Sequence, residues 1–475
     1  MIPVSDETIE FVSYYENIMK KFYHEHYYIL VISIVTLCMT VFLIFFAIAV
    51  RKADRELAEE KKEKEKKTAT SNKGKTRNNS SSSDTGNGRK VRSSKGVKLT
   101  TLKKTTLPPH PLLAAEFKGH TGSICGLDFD VNSKYLASCS NDRTVRLWHM
   151  KSLNDKEHKY TRKNIELDHA SHLRFSPDGT AVVVSLAVAK TVAVYRITKA
   201  TAGSFALSKT DVTFPQCSSE VLSLDMASTG RYIMSYTDQH FTVWTLKGEV
   251  LAEVVTNQAP NTCAVVSPCG KFVATAGFTS DVKLWEVVFN KSGEFTEVTR
   301  AMELSGHRAS VLSVSFSSDS KRAATVSKDG TWKFWDIDVR YNLHESPKLL
   351  RTVPLPEKWA GSLIALSPDA KVVVVSCHTS IHLYLTSSGE IAESLSDVHR
   401  DTISALCWEP TSRYLASGGG EDRHVRVWHN TPGLRELTTD LEERITKATN
   451  NESFKKRLEQ QLADVKQQLK SAGVM

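Results

Sequence analysis

Seven aromatic residues close seven similar stretches of this chain: Trp148, Tyr195, Trp244, Trp285, Trp335, Tyr384 and Trp428. The intervals between them are 47, 49, 41, 50, 49 and 44 residues. A period of this length matches a four-stranded sheet unit, which cannot bury its faces alone and must stack against neighbours. Each stretch reads as an apolar run, a turn containing Pro, Gly, Asp or Ser, a second apolar run, a polar turn, and an alternating strand that ends in the aromatic. IALSPDAKVVVVS leading to SIHLY is one such unit, and AVVSPCGKFVATAG leading to DVKLW is another.

Seven such units joined radially make a β-propeller, which leaves no long open sheet edge. The chain carries a hint of how the ring closes. After Trp428 no strand pattern remains to complete the last unit. An unassigned strand candidate, LLAAEF at 112–117, precedes the first one. The N-terminal strand is therefore expected to complete the seventh blade.

Three units carry a stricter set of polar residues. His120 and Asp142, and likewise His307 and Asp329, are 22 residues apart, and His399 and Asp422 are 23 apart. In each case the Asp lies six residues before a Trp: Trp148, Trp335 and Trp428. A His–Asp pair resembles part of a hydrolase triad. A catalytic centre, however, occurs once, and this pair recurs with the repeat. The nine residues are expected to be structural turn braces, with His donating to Asp and the Trp nitrogen in the same network. The residues just before the turn Asp, namely Asn141, Lys328 and Glu421, are the candidate partner-binding rim. No catalytic residue, metal site or cofactor is expected. The chain has no G-x-x-x-x-G-K-[ST] or G-x-S-x-G, and none of its eight cysteines forms a C-x-x-C pair. The thiols read as free and buried in a reducing compartment.

Outside the repeat, residues 29–50 form a run of 22 without a charge. That is long enough to cross a hydrocarbon core as a helix. Arg51, Lys52, Arg55 and further lysines follow it, against Lys20 and Lys21 before it. The positive-inside rule then places a short N-terminal segment, 1–28, in the lumen and everything after the span in the cytosol. Residues 51–104 hold 18 Lys and Arg against 7 Asp and Glu. The net charge of the whole chain is +9, so the large domain is close to neutral. A basic domain face for nucleic acid is thus not supported by the whole-chain pI. Residues 51–111 are expected to be a basic flexible linker. Its stretch Lys73–Lys104 is a candidate contact for a ribosome or RNA. Beyond the repeat, 434–471 show apolar residues at spacings of three and four, broken at Asn450–Ser453. This pattern predicts an amphipathic helical tail, as two short helices or one bent one, that either docks on the propeller edge or makes a coiled-coil contact with a partner or a second copy of the chain.

The GH…D…W units resemble WD-repeat proteins. A more specific set of segments resembles the membrane-anchored, transducin beta-like branch of that family. These are ELDHA (166–170), RFSPD (174–178), VSPCGKFVA (266–274), DVKLWEV (281–287), VSKDGTWKFWD (326–336), HNTPG (429–433) and RLEQQL (457–462). The expected fold is thus all-β: a seven-bladed WD40 β-propeller over 112–430, with an N-terminal transmembrane helix and a C-terminal α-helical tail. The resemblance implies a non-enzymatic scaffold in the endoplasmic reticulum membrane. It also implies a link to the unfolded-protein response and translational control, through the stress kinase that acts on an initiation factor. The alternatives at this stage are a ribosome- or RNA-binding factor, and a membrane-bound regulator of a small GTPase.

Overall fold

A computed structural model describes residues 110–155, 157–199, 205–356, 361–447 and 452–471. The expected lumenal segment, transmembrane span and nearly all of the linker lie outside these residues. Among the described residues, no helix is long and apolar enough to cross a membrane.

The described chain forms seven four-stranded antiparallel sheets. Six run in simple sequence order, over 124–164, 170–209, 223–255, 261–304, 311–354 and 361–395. The seventh combines 403–429 with the N-terminal strand Leu113–Phe117, which lies on its outer edge. Leu113 pairs with Trp428, and Phe117 with Val425. This is the closure read from the orphan strand. The packing begins slightly before the expected boundary at 112. The His110 ring meets Trp428 edge-on at 5.9 Å, and His429 donates its N–H to the Leu112 carbonyl at 2.9 Å.

The apolar core lies between blades. One cluster joins Val145 and Leu147 of the first blade to Leu173, Val182 and Val184 of the second. Another joins Phe117, Val425 and Val427 of the seventh blade to Ile124, Leu136 and Trp148 of the first. Every interior blade therefore buries both faces. This explains continuous runs such as Val372–Val375 in place of strict alternation. Phe117 is 1% exposed and stacks on Trp148 at 5.0 Å, so the seam of the ring is as well packed as its interior.

Two helices follow the ring: α1 (Thr431–Lys447) and α2 (Glu452–Ser471). The first starts three residues before the expected 434. The reason is a cap that the apolar spacing does not show. The Asn430 side-chain oxygen accepts the Gly433 N–H at 3.1 Å, and its amide nitrogen donates to Ser412 O in the seventh blade at 2.7 Å. Pro432 then fits the first turn, where no helical N–H is needed. The apolar stripe is satisfied within the chain. Leu434 and Leu441 of α1 pack on Leu458, Val465 and Leu469 of α2. Helix α1 also reaches the sixth blade through ion pairs Lys371–Asp440 and Arg435–Glu393. The stripe is thus buried mainly between the two helices, and α1 is tied to the sixth blade by these ion pairs.

Candidate functional site

The three His–Asp–Trp sets each meet at a buried hydroxyl that the sequence pattern does not mark. His120 Nδ1 lies 2.9 Å from Asp142 Oδ2, and His120 Nε2 lies 2.8 Å from Ser138 Oγ. Trp148 Nε1 donates to the same Ser138 oxygen at 2.8 Å. Thr325 plays this part for His307 and Trp335, at 2.8 and 3.0 Å. Ser417 does so for His399 and Trp428, at 2.7 and 2.9 Å. The pairs His307–Asp329 and His399–Asp422 both close at 2.9 Å.

In blades one and five, where no guanidinium among the described residues faces the His Nδ1, chemistry fixes the direction of the relay; in blade seven Arg426 Nη1 also lies 2.7 Å from His399 Nδ1. An indole N–H only donates and a carboxylate only accepts. Hence Trp donates to the hydroxyl, the hydroxyl donates to His Nε2, and His Nδ1–H donates to Asp. The imidazole must be neutral to accept at Nε2. Burial supports this: it lowers the His120 pKa to about 4, against the opposing pull of Asp142, and it also lowers His307 and His399. Burial alone would raise the Asp329 carboxyl. Hydrogen bonds from Thr331, the Arg308 N–H and His307 outweigh it and bring the pKa down to about 2.

Ser138, His120 and Asp142 together have the connectivity of a serine-hydrolase triad. They are not one. Ser138 has no exposed surface, and its oxygen already accepts the Trp148 N–H. No carbonyl substrate can reach it, and the same arrangement stands in blades one and seven, with Thr in blade five. What the set does is hold two loops together. Asp142 accepts the Thr121 N–H from one loop and the Thr144 N–H from the turn, at 2.9 and 3.0 Å. That turn needs a left-handed residue, met by Arg143 (φ 62°), Gly330 (φ 79°) and Arg423 (φ 63°) in the three blades.

Other blades solve the same problem with different residues. In the fourth, Trp285 Nε1 donates to Thr275 Oγ1 at 2.9 Å, and that hydroxyl bonds Gln258 Oε1 at 2.8 Å. The buried Gln258 amide then donates to Thr279 Oγ1 at 2.9 Å. Gln258 and Thr279 thus stand in for His and Asp. Thr279 lies six residues before Trp285, as each brace Asp lies six before its Trp. That offset was the one available clue. In the second blade, Asp168 reaches across to the Val188 and Ala189 N–H groups.

The rim residues Asn141, Lys328 and Glu421 are all exposed, each next to its brace Asp. They lie on the turns between second and third strands of blades one, five and seven, at the ring end that carries the His loops. Asn141 and Glu421 are on adjacent blades, whereas the whole of blade six separates Lys328 from Glu421. No disulfide joins any two of the seven described cysteines.

The family model for the WD domain, G-beta repeat, matches residues 112–149, 299–336 and 393–429. These are the three repeats with complete braces. Over 371 residues the chain is 47% identical to the human protein transducin beta-like protein 2, covering 77% of this chain and 82% of that protein. The mouse protein of the same name is also 47% identical, over 77% and 83% of the two chains. Periodic tryptophan protein 2 homolog of Dictyostelium discoideum is more distant, at 27% identity over 39% of this chain and 19% of its own length.

Proposed function

The chain belongs to the transducin beta-like protein 2 family of WD-repeat proteins, and from that premise we propose that it is a non-enzymatic adaptor held at the cytosolic face of the endoplasmic reticulum membrane. One observation carries the adaptor reading: each His–Asp pair of the complete sets is used inside the fold to hold a loop, so the surface of the ring is what remains for function. A rigid ring with braced loops presents that surface with little ordering cost on binding. No enzymatic family is indicated, and the propeller fold suggests surfaces for protein partners.

The membrane placement rests on the uncharged run at 29–50 and the basic residues after it. The role in the unfolded-protein response and in translational control, with the endoplasmic-reticulum stress kinase as partner, rests on the family resemblance. Proximity labelling from the full chain, with and without folding stress, tests it. A form lacking residues 1–50 should lose the membrane-associated partners. Undiminished recruitment by that form would overturn the tethering part.

A second reading has its own support in the 18 basic residues of 51–104. We propose ribosome or RNA contact through Lys73–Lys104 as an auxiliary function. Its affinity should fall steeply with salt, because phosphate neutralisation releases counterions. Affinity that does not change with salt would refute it.

A further inference from the structure

The third strands of four blades carry a cation at the same place, two residues before the closing aromatic: Arg146, Lys283, Lys333 and Arg426. What lies opposite each across the sheet differs. Arg426 faces Glu116, Lys333 faces Thr352 and Lys283 faces Glu303. Arg426 donates to Glu116 at 2.7 Å and Lys333 to Thr352 at 2.7 Å, while Lys283 donates to the Thr256 carbonyl at 2.8 Å. Arg146 faces Arg162. Like charges directly opposite in a sheet are destabilising.

Arg146 is also only 3% exposed, yet its Nε and Nη1 have no hydrogen-bond partner among the described residues. Its Nη2 donates to the Gly119 carbonyl at 2.6 Å, and its guanidinium lies 4.7 Å from the Tyr160 ring centre. The neighbouring carboxylate offers no relief. Asp142 is already shared by His120, the Thr121 N–H and Thr144. Arg162 is exposed on the outer strand of the first blade. Blade seven shows what completes such a position: an oxyanion at the place of Glu116, accepting from the guanidinium beneath it.

We propose that Arg162 and Arg146 form a phosphate-reading pocket at the outer edge of the first blade, and that its ligand is a phosphorylated serine or threonine on a partner polypeptide. The site rests on the adaptor reading for the identity of its ligand as a protein. Two guanidiniums without a counter-charge match a dianion better than a single carboxylate. Three phosphate oxygens can also accept from both forks at once. Arg162 makes the first, solvent-facing contact. The bound phosphate then stands toward Arg146 as Glu116 stands toward Arg426.

The test uses the full chain against an array of phosphoserine peptides, each carried also in its serine and glutamate forms. Phosphorylated forms should bind at least about tenfold tighter than glutamate forms, as expected of charge-assisted bidentate contacts. R162E copies the blade-seven arrangement by placing a carboxylate opposite Arg146. It should lose that binding and at the same time raise the melting temperature. R162Q should lose the binding without the rise. Inorganic phosphate, compared with chloride at equal ionic strength, should stabilise the wild type and leave R162E unmoved. Unchanged phosphopeptide affinity in R162E, equal affinity for glutamate forms, or equal phosphate stabilisation of both proteins would each overturn the proposal. Such a failure with partner recruitment intact removes the pocket alone. Phosphate binding that persists in a chain recruiting no protein removes the adaptor reading alone.

Discussion

Ser417→Ala removes one oxygen from the centre of the seventh-blade relay. Ser417 is fully buried, accepts from Trp428 at 2.9 Å and bonds His399 Nε2 at 2.7 Å. The substitution leaves two buried groups unpaired, the indole N–H and the imidazole Nε2. Each orphan costs about 1–3 kcal/mol, so the total for the two is about 2–6 kcal/mol. The blade concerned is the one that closes the ring, so the loss falls on the seam with Leu113–Phe117. Equilibrium unfolding in urea, followed by tryptophan fluorescence, reads it. With a slope of roughly 3 kcal/mol per molar or more for a domain of this size, the midpoint should fall by about 1 M. Ser417→Thr is the control, because Thr325 does the same work in blade five. It keeps the hydroxyl but adds one buried methyl, an overpacking cost of about 1–3 kcal/mol, and should remain more stable than the Ala variant. If the Ala and Thr variants unfold at the same urea concentration, the relay contributes nothing and the brace argument is wrong.

The relay also sets a pH dependence. The His120 pKa falls from 6.5 to about 4 on folding, so between those values the unfolded chain binds more protons and stability declines as the solution is acidified. Asp329, at about 2 against an ordinary 3.8, extends the loss to lower pH. Thermal melts should therefore be flat above pH 7 and fall from about pH 6.5 downwards, the ordinary titration range of histidine. His120→Gln borrows the solution seen at Gln258, and its melts should show a shallower acid slope in that window. Phe117→Ala should cost about 3–5 kcal/mol, measured by urea unfolding, and should leave the seam between blades seven and one the most easily exchanged part of the ring by hydrogen exchange. Leu441→Ala, 5% exposed between the two helices, should speed exchange in α1 and α2 while the propeller strands keep their protection.

The number of blades, the closing strand and the brace residues were legible because they repeat. Seven aromatics at near-constant spacing and three His–Asp pairs at 22 or 23 residues leave few other folds open. Ser138, Thr325 and Ser417 escaped notice because serine and threonine are common in strands. Their role emerges only when the second strand is set beside the third. Gln258 was hidden for a similar reason, since an amide reproduces the donor and acceptor of a neutral imidazole without resembling it in sequence. The start of α1 was misplaced because the apolar stripe begins at Leu434, whereas the helix begins where Asn430 can cap it. The Arg146–Arg162 pair could not be read from sequence at all. Sixteen residues separate them, and only the pairing of third and fourth strands puts them face to face.

On the adaptor reading, this ring acts by what its braced rim recruits. The most direct measurement compares proximity labelling by the full chain with that of a variant carrying Asn141→Ala, Lys328→Ala and Glu421→Ala. The three side chains are exposed, so the variant should melt close to the wild type. A marked loss of labelled partners at that unchanged stability is expected. An identical partner set from wild type and variant, both correctly folded, would contradict it.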